Sequence, residues 1–136
     1  MSRTSFLFIL FLQMTVACRK PSGPEQVAGH FLSAYLDCRF SDAERLAESN
    51  VADMMRWRAS QLTQAEVELV SENNPQVQTL NVEDMGDSCV VWLMATDALI
   101  MDSIGQPGCV GSVRYRVSLH RRSGQDWKVM DVGVGF

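Results

Sequence analysis

At Gln76 the spacing of apolar residues changes from three or four to two. No other feature limits the fold as strongly, because one element cannot satisfy both a helical and a strand period. Before the change, Val27, Phe31, Ala34, Tyr35 and Cys38 recur at three- and four-residue steps, and Ala28, Leu32 and Leu36 widen the stripe. This predicts a helix over 25–38 with an apolar side broad enough to lie across a sheet. Ser41-Asp42-Ala43-Glu44 has the form of a capping box, with Ser41 as N-cap, and opens a short helix to about Glu48. Asn50 is placed to cap a third helix carrying Val51, Met54, Met55 and Trp57 and ending near Gln61. Thr63-Gln64-Ala65-Glu66 is a second capping box. It opens a last helix that Asn73-Asn74-Pro75 ends, although Glu66 to Ser71 also alternates and fits a strand.

After the change, Val77 to Glu83 reads as a strand and Asp84-Met85-Gly86-Asp87 as a turn. Ser88 to about Ile100 is a long strand with almost no polar residue before Thr96 and Asp97, which predicts a central position with the first half buried on both faces. A turn over 104–108 leads to a strand from Cys109 to Arg121. Val113, Tyr115, Val117 and Leu119 share one side of it, and Arg114, Arg116, Ser118 and His120 share the wet side. Arg122 to Gln125 turns the chain into a last strand from Trp127 to Val134. Four strands joined by short turns predict an antiparallel meander. Helices followed by a meander predict an α+β fold, with the helices packed on one face of a curved sheet.

The start of the chain carries an address. Arg3 is followed by an unbroken apolar run from Phe6 to Leu12 and then by small residues before Cys18, the layout of a secretory signal peptide. The run is shorter than the roughly 20 residues a membrane-spanning helix needs. Thr15-Val16-Ala17-Cys18 resembles the lipobox of bacterial lipoprotein signals, although Thr15 stands where that pattern prefers Leu. The resemblance implies cleavage before Cys18, lipidation of its thiol, and attachment to a membrane through acyl chains. It also implies an envelope location facing the periplasm or exterior, with the outer membrane favoured because Arg19 is not the Asp that retains such proteins at the inner membrane. The chain then divides into a signal at 1–17, a lipidated cysteine and Pro/Gly-rich tether at 18–24, and a single α+β domain at 25–136.

Removing the signal leaves 119 residues, enough for one domain, and takes the net charge from −4 to −5. An acidic balance excludes nucleic acid as a partner, which needs a basic face. Three cysteines remain, Cys38, Cys89 and Cys109, with no CxxC and no cysteine near His30 or His120. Neither a metal site nor a cofactor is implied. If the 104–108 turn centres near Gln106, Cys109 lies opposite about Asp102, far from Cys89, so any disulfide is expected to join Cys38 to one of the sheet cysteines.

A helix reading Val27-Ala28-Gly29-His30-Phe31-Leu32-Ser33-Ala34-Tyr35-Leu36, leading into Phe40-Ser41-Asp42-Ala43, precedes strands that end in Trp127-Lys128-Val129. This order is similar to the cystatin-like, or nuclear transport factor two-like, superfamily, and to small bacterial lipoproteins of that fold. The resemblance implies a cone-like domain whose interior serves different members as an enzyme pocket, a ligand site or a docking surface. Fold alone does not choose between these.

Candidate residues follow. In relatives with isomerase or lyase activity, a sheet carboxylate meets a helix residue across the cone. The resemblance assigns the carboxylate to Asp97 or Asp131 and its partner to Tyr35 or His30. Read as residues alone, both aspartates lie near strand ends, and His30 and His120 fit solvated positions. Arg114 and Arg116, alternating with Tyr115, suit an anionic ligand or partner, or cross-strand pairing with acids. Trp57, Trp92, Trp127, Met54, Met55, Met94 and Met130 fit a core better than a ligand cavity. No catalytic set can be read. The expectation is a membrane-anchored, non-catalytic module that binds an envelope protein or a small apolar ligand. The alternative is an isomerase- or lyase-type enzyme using a carboxylate in the cone.

Overall fold

In the computed structural model, residues 23–100 and 109–135 are described. Four helices precede four strands: α1 (Pro24–Leu36), α2 (Phe40–Arg45), α3 (Ser49–Gln61), α4 (Gln64–Asn73), β1 (Gln76–Asp84), β2 (Ser88–Ile100), β3 (Cys109–His120) and β4 (Lys128–Val134). The strands form one antiparallel sheet in the order β1-β2-β3-β4, the expected meander. The fold is α+β, with helices over one face of a curved sheet. The expected signal peptide, Cys18, most of the tether and the 104–108 turn lie outside the described residues.

Helix α1 carries the core. Val27, Ala28, Phe31, Leu32, Ala34 and Leu36 are buried, and the helix touches all four strands. Its apolar stripe meets Cys89, Val91, Leu93 and Ala95 of β2, and Tyr115, Val117 and Leu119 of β3, all buried. The helix ends earlier than its apolar period predicts. Cys38 adopts φ +60, its N–H donates to the Tyr35 carbonyl at 3.2 Å, and the Arg39 N–H donates to the Ala34 carbonyl at 2.8 Å. These two bonds are a Schellman termination, with a cysteine in the left-handed position that glycine usually takes.

That termination feeds α2 directly, so α2 begins at Phe40 with Arg39 as N-cap and the expected Ser41 cap is not formed. The expected Asn50 cap is absent too. Glu48 is the N-cap of α3, and the Asn50 amide donates to the Met130 carbonyl at 3.2 Å. The reason lies in the linker. Glu48 N–H donates to Val129 O, and Val129 N–H donates to Leu46 O, each at 2.8 Å, so the α2–α3 linker is paired to β4 before α3 starts. The Thr63 box forms as expected: the Glu66 N–H donates to Thr63 Oγ1 and the Thr63 N–H to Glu66 Oε2, both at 3.3 Å. That cap decides for helix over strand in α4, which Asn74 ends at φ +49.

Strand β2 is central, but among the described residues helices cover only one of its faces. Cys89, Val91, Leu93 and Ala95 are buried, whereas Val90, Trp92 and Met94 on the opposite face are only half-buried. The expectation of burial on both faces is corrected accordingly. β3 follows its predicted alternation, with Tyr115, Val117 and Leu119 inward and Arg114 and Arg116 in solvent.

Candidate functional site

The site expected from the cone-like resemblance is the space between α1 and the sheet. Among the described residues it is nearly filled. A cavity of about 20 Å³ remains, lined among others by Tyr35, Cys38, Phe40, Arg58 and Tyr115. That holds about one water molecule. Tyr35 stacks on Phe31 with 6.4 Å between ring centres, meets Phe40 edge-on at 6.0 Å, and lies under the Arg58 guanidinium at 5.9 Å.

Three of its lining groups, Tyr35, Tyr115 and Cys38, are pushed toward their protonated forms. Burial raises the Tyr35 hydroxyl, against a partial lowering by Arg58. Burial, then the neighbouring Tyr35, pushes Tyr115 up to about 12. Burial, then Asp37, pushes the Cys38 thiol up. At neutral pH these groups are two phenols and a thiol, and none is poised as a base or nucleophile.

The aspartates assigned to the cone are elsewhere. Asp97 is exposed at a bulge between Ala95 and Ala98, where it takes φ +55. Its short polar side chain tolerates that conformation better than most, so its place in the sequence is explained by backbone geometry. Asp131 is exposed on the outer face of β4, with one oxygen 3.8 Å from the Arg116 guanidinium. Neither residue lines the interior cavity. His30 is exposed on α1, as expected. His120 departs from the expectation of a solvated edge: its Nε2 lies 2.6 Å from Glu48 Oε1, tying β3 to the start of α3. The carboxylate accepts there, so Nε2 carries the proton. The hydrogen bond from His120 is the first cause that holds Glu48 below the usual carboxylate range; burial opposes it, and the nearby charges of Arg122 and Lys128 add to the lowering.

Arg114, Tyr115 and Arg116 do not form one surface. Tyr115 is buried against the helices, and the two arginines stand on the outer face. The three described cysteines, Cys38, Cys89 and Cys109, are free thiols, so no bond among them tests the expectation that any disulfide would join Cys38 to a sheet cysteine. Cys109 lies opposite Ile100, two residues from the expected register. Of the tryptophans and methionines, Trp127 and Met55 are core, while Met54 and Trp57 are exposed on α3.

The open site lies on the outer face of the sheet. A hollow of about 520 Å³ is lined by Leu80, Asn81 and Glu83 of β1, Trp92 of β2 and Arg114 of β3. A bulge between Thr79 and Asn81 shifts β1 so that Asn81 lies opposite Trp92. Arg114 pairs with Met94 and Arg116 with Trp92, which places both arginines around the indole. Gly135 packs at the ring edge, and its N–H donates to the Arg114 carbonyl at 2.7 Å. Sequence reasoning placed Trp92 in a core and passed over Asn81 and Glu83. The available signal was that Val90, Trp92 and Met94 share one face of β2, which one-sided helical cover leaves open.

No protein-family model and no curated protein sequence matches the chain. Among solved structures, it is similar to the solution structure of a SEC-C motif containing protein from Rhodopseudomonas palustris. The TM-score is 0.53 at 15% identity, covering 87% of this chain and 83% of that one. A nuclear transport factor two-like protein of unknown function from Cytophaga hutchinsonii matches at TM-score 0.44 and 8% identity, covering 86% of this chain and 94% of that one. At 15% identity the first likeness is one of fold alone.

Proposed function

We propose that the chain is a lipid-tethered, non-catalytic binding module of the bacterial cell envelope, related in fold to the cystatin-like lipoproteins and presenting the outer face of its sheet. One observation carries this reading. Among the described residues the interior leaves a cavity of about 20 Å³, while the opposite face of the same sheet opens a hollow of about 520 Å³. A small-ligand site of ordinary size fits the second volume and not the first. The lipobox-like Thr15-Val16-Ala17-Cys18 supports the tether, and the acidic balance of the chain leaves attachment to the acyl chains. Among the described residues no helix is long and apolar enough to cross a membrane.

The test of the tether is the intact mass of membrane-extracted protein beside a Cys18→Ser variant. The expected mass corresponds to a chain beginning at Cys18 and carrying diacylglycerol and an acyl group, and the variant is expected in the soluble fraction. An unmodified full-length or secreted wild-type chain would overturn the tether.

A further inference from the structure

The outer hollow also indicates a ligand class, on the premise that this face is the binding face. We propose that it binds an uncharged oligosaccharide, stacked on Trp92 and held by Asn81, Glu83 and Arg114. Those residues line it together with Leu80. Trp92 is half-buried, so its ring is supported by the sheet while part of it stays in solvent. Among the described residues neither Arg114 nor Glu83 enters an ion pair, whereas the adjacent Arg116 is engaged by Asp131.

The hollow therefore offers one cation, one anion and one amide around an aromatic ring. An acidic peptide or a phosphate headgroup would meet Glu83, and a basic peptide would meet Arg114. Like-charge contacts of this kind work against a charged partner. A sugar ring carries polarised C–H groups on its face and hydroxyls on its rim. The C–H face complements the negative face of the indole quadrupole. Rim hydroxyls both donate and accept, and Glu83 accepts, Arg114 donates and the Asn81 amide does both. The volume lies within the range of small-ligand sites.

The platform is also held in place. A Cβ built on Gly135 would lie 2.5 Å from Trp92 Cζ3, so the chain approaches the indole as closely as a glycine allows. The hydrogen bond of the same glycine to Arg114 fixes the neighbouring strand. A site whose ring is already oriented loses less freedom on binding.

The experiment titrates the lipid-free Cys18→Ser chain with maltotetraose, cellotetraose and tetra-N-acetylchitotetraose, read by calorimetry and by the indole N–H resonances. At least one is expected to bind with a Kd between about 10 μM and 1 mM and to shift the Trp92 resonance. Trp92→Ala is expected to weaken binding about tenfold or more, and Arg114→Met and Glu83→Gln about three- to tenfold each. Trp57→Ala, on exposed α3, is expected to leave it unchanged. Arg114 and Glu83 are exposed, so their variants decide the matter even if Trp92→Ala does not fold. Failure of all three sugars at about 10 mM would overturn the proposal. So would binding that both exposed variants leave intact, or stronger binding of hexaglutamate or inorganic phosphate. Because the titrated chain has no lipid, absence of sugar binding leaves the tether standing. Sugar binding by a chain that is never lipidated leaves this site standing without the tether.

Discussion

The two faces of the sheet are built from the same strands, one residue apart, and they differ in nearly every respect. On the inner face Val91, Leu93, Val117, Leu119 and Val129 are 0% exposed and meet α1. On the outer face Trp92, Arg114, Arg116 and Asp131 are partly or fully open to solvent. Among the described residues the inner face leaves a cavity of about 20 Å³, and burial there favours the protonated forms of Tyr35, Cys38 and Tyr115. The outer face has room and mixed charge and, among the described residues, no helix over it. In this chain the helices and the buried half of each strand account for the core, while the other half of each strand keeps its polar and charged groups toward solvent. Leu93→Ala tests this most severely. It is expected to cost about 2–5 kcal/mol in urea unfolding, because a fully buried side chain leaves a cavity behind. Arg116→Ala, one strand over on the outer face, is expected to cost less than about 1 kcal/mol. Equal losses would mean that the two faces of the sheet contribute alike to stability.

Asp97 sharpens the contrast between a backbone role and a chemical one. At φ +55 a β-branched residue is strained, so Asp97→Val is expected to lose about 1–2 kcal/mol. Asp97→Gly is expected to stay within a few tenths of a kcal/mol of the parent. If the glycine variant proved as unstable as the valine one, the carboxylate itself would be needed and the backbone account would fail.

Cys38 gives a smaller effect of opposite sign. It occupies the left-handed position of the α1 termination at φ +60. Cys38→Gly is expected to raise stability by about 0.5 kcal/mol, since the strain relieved exceeds the added freedom of the unfolded chain and the lost thiol contacts. A thermal midpoint below that of the parent would mean that the half-buried thiol packs better than its strained backbone costs.

Most of the architecture was legible because it rests on periodicity. The shift from helical to strand spacing at Gln76, the Thr63 box and the alternation of Val113 to Leu119 all correspond to elements in the structure. What was not legible depends on contacts between distant segments. Ser41 and Asn50 look like caps in isolation. The α1 termination and the pairing of Leu46 and Glu48 with Val129 decide where α2 and α3 start. Trp92 looks like core because its neighbours in sequence are apolar, and sequence does not reveal which face of β2 the helices leave bare. The resemblance placed Asp97 and Asp131 in a cone, and a bulge and the strand register put them in solvent. The outer hollow gathers residues from three strands, so no local pattern announces it.

The smallest expected effect concerns the join between the sheet and α3. His120 Nε2 donates to Glu48 at 2.6 Å, and this bond is the first cause of the lowered Glu48 ionisation. A carboxyl whose folded value is lowered contributes stability that is fully present above its unfolded value, near 4.3 for Glu, and lost as pH falls through the folded value. Both partners are about one-third exposed, so solvent screens the pair and the contribution is modest. Glu48→Gln is therefore expected to lower the thermal midpoint by about 1–2 °C at pH 7, with the difference from the parent shrinking as pH falls below about 4. The Gln amide can still accept a hydrogen bond, so what is removed is the carboxylate charge and not the contact. A difference that grew toward acid pH would have the wrong sign for a lowered carboxyl, and it would assign the join to the backbone pairing of Leu46 and Glu48 with Val129 alone.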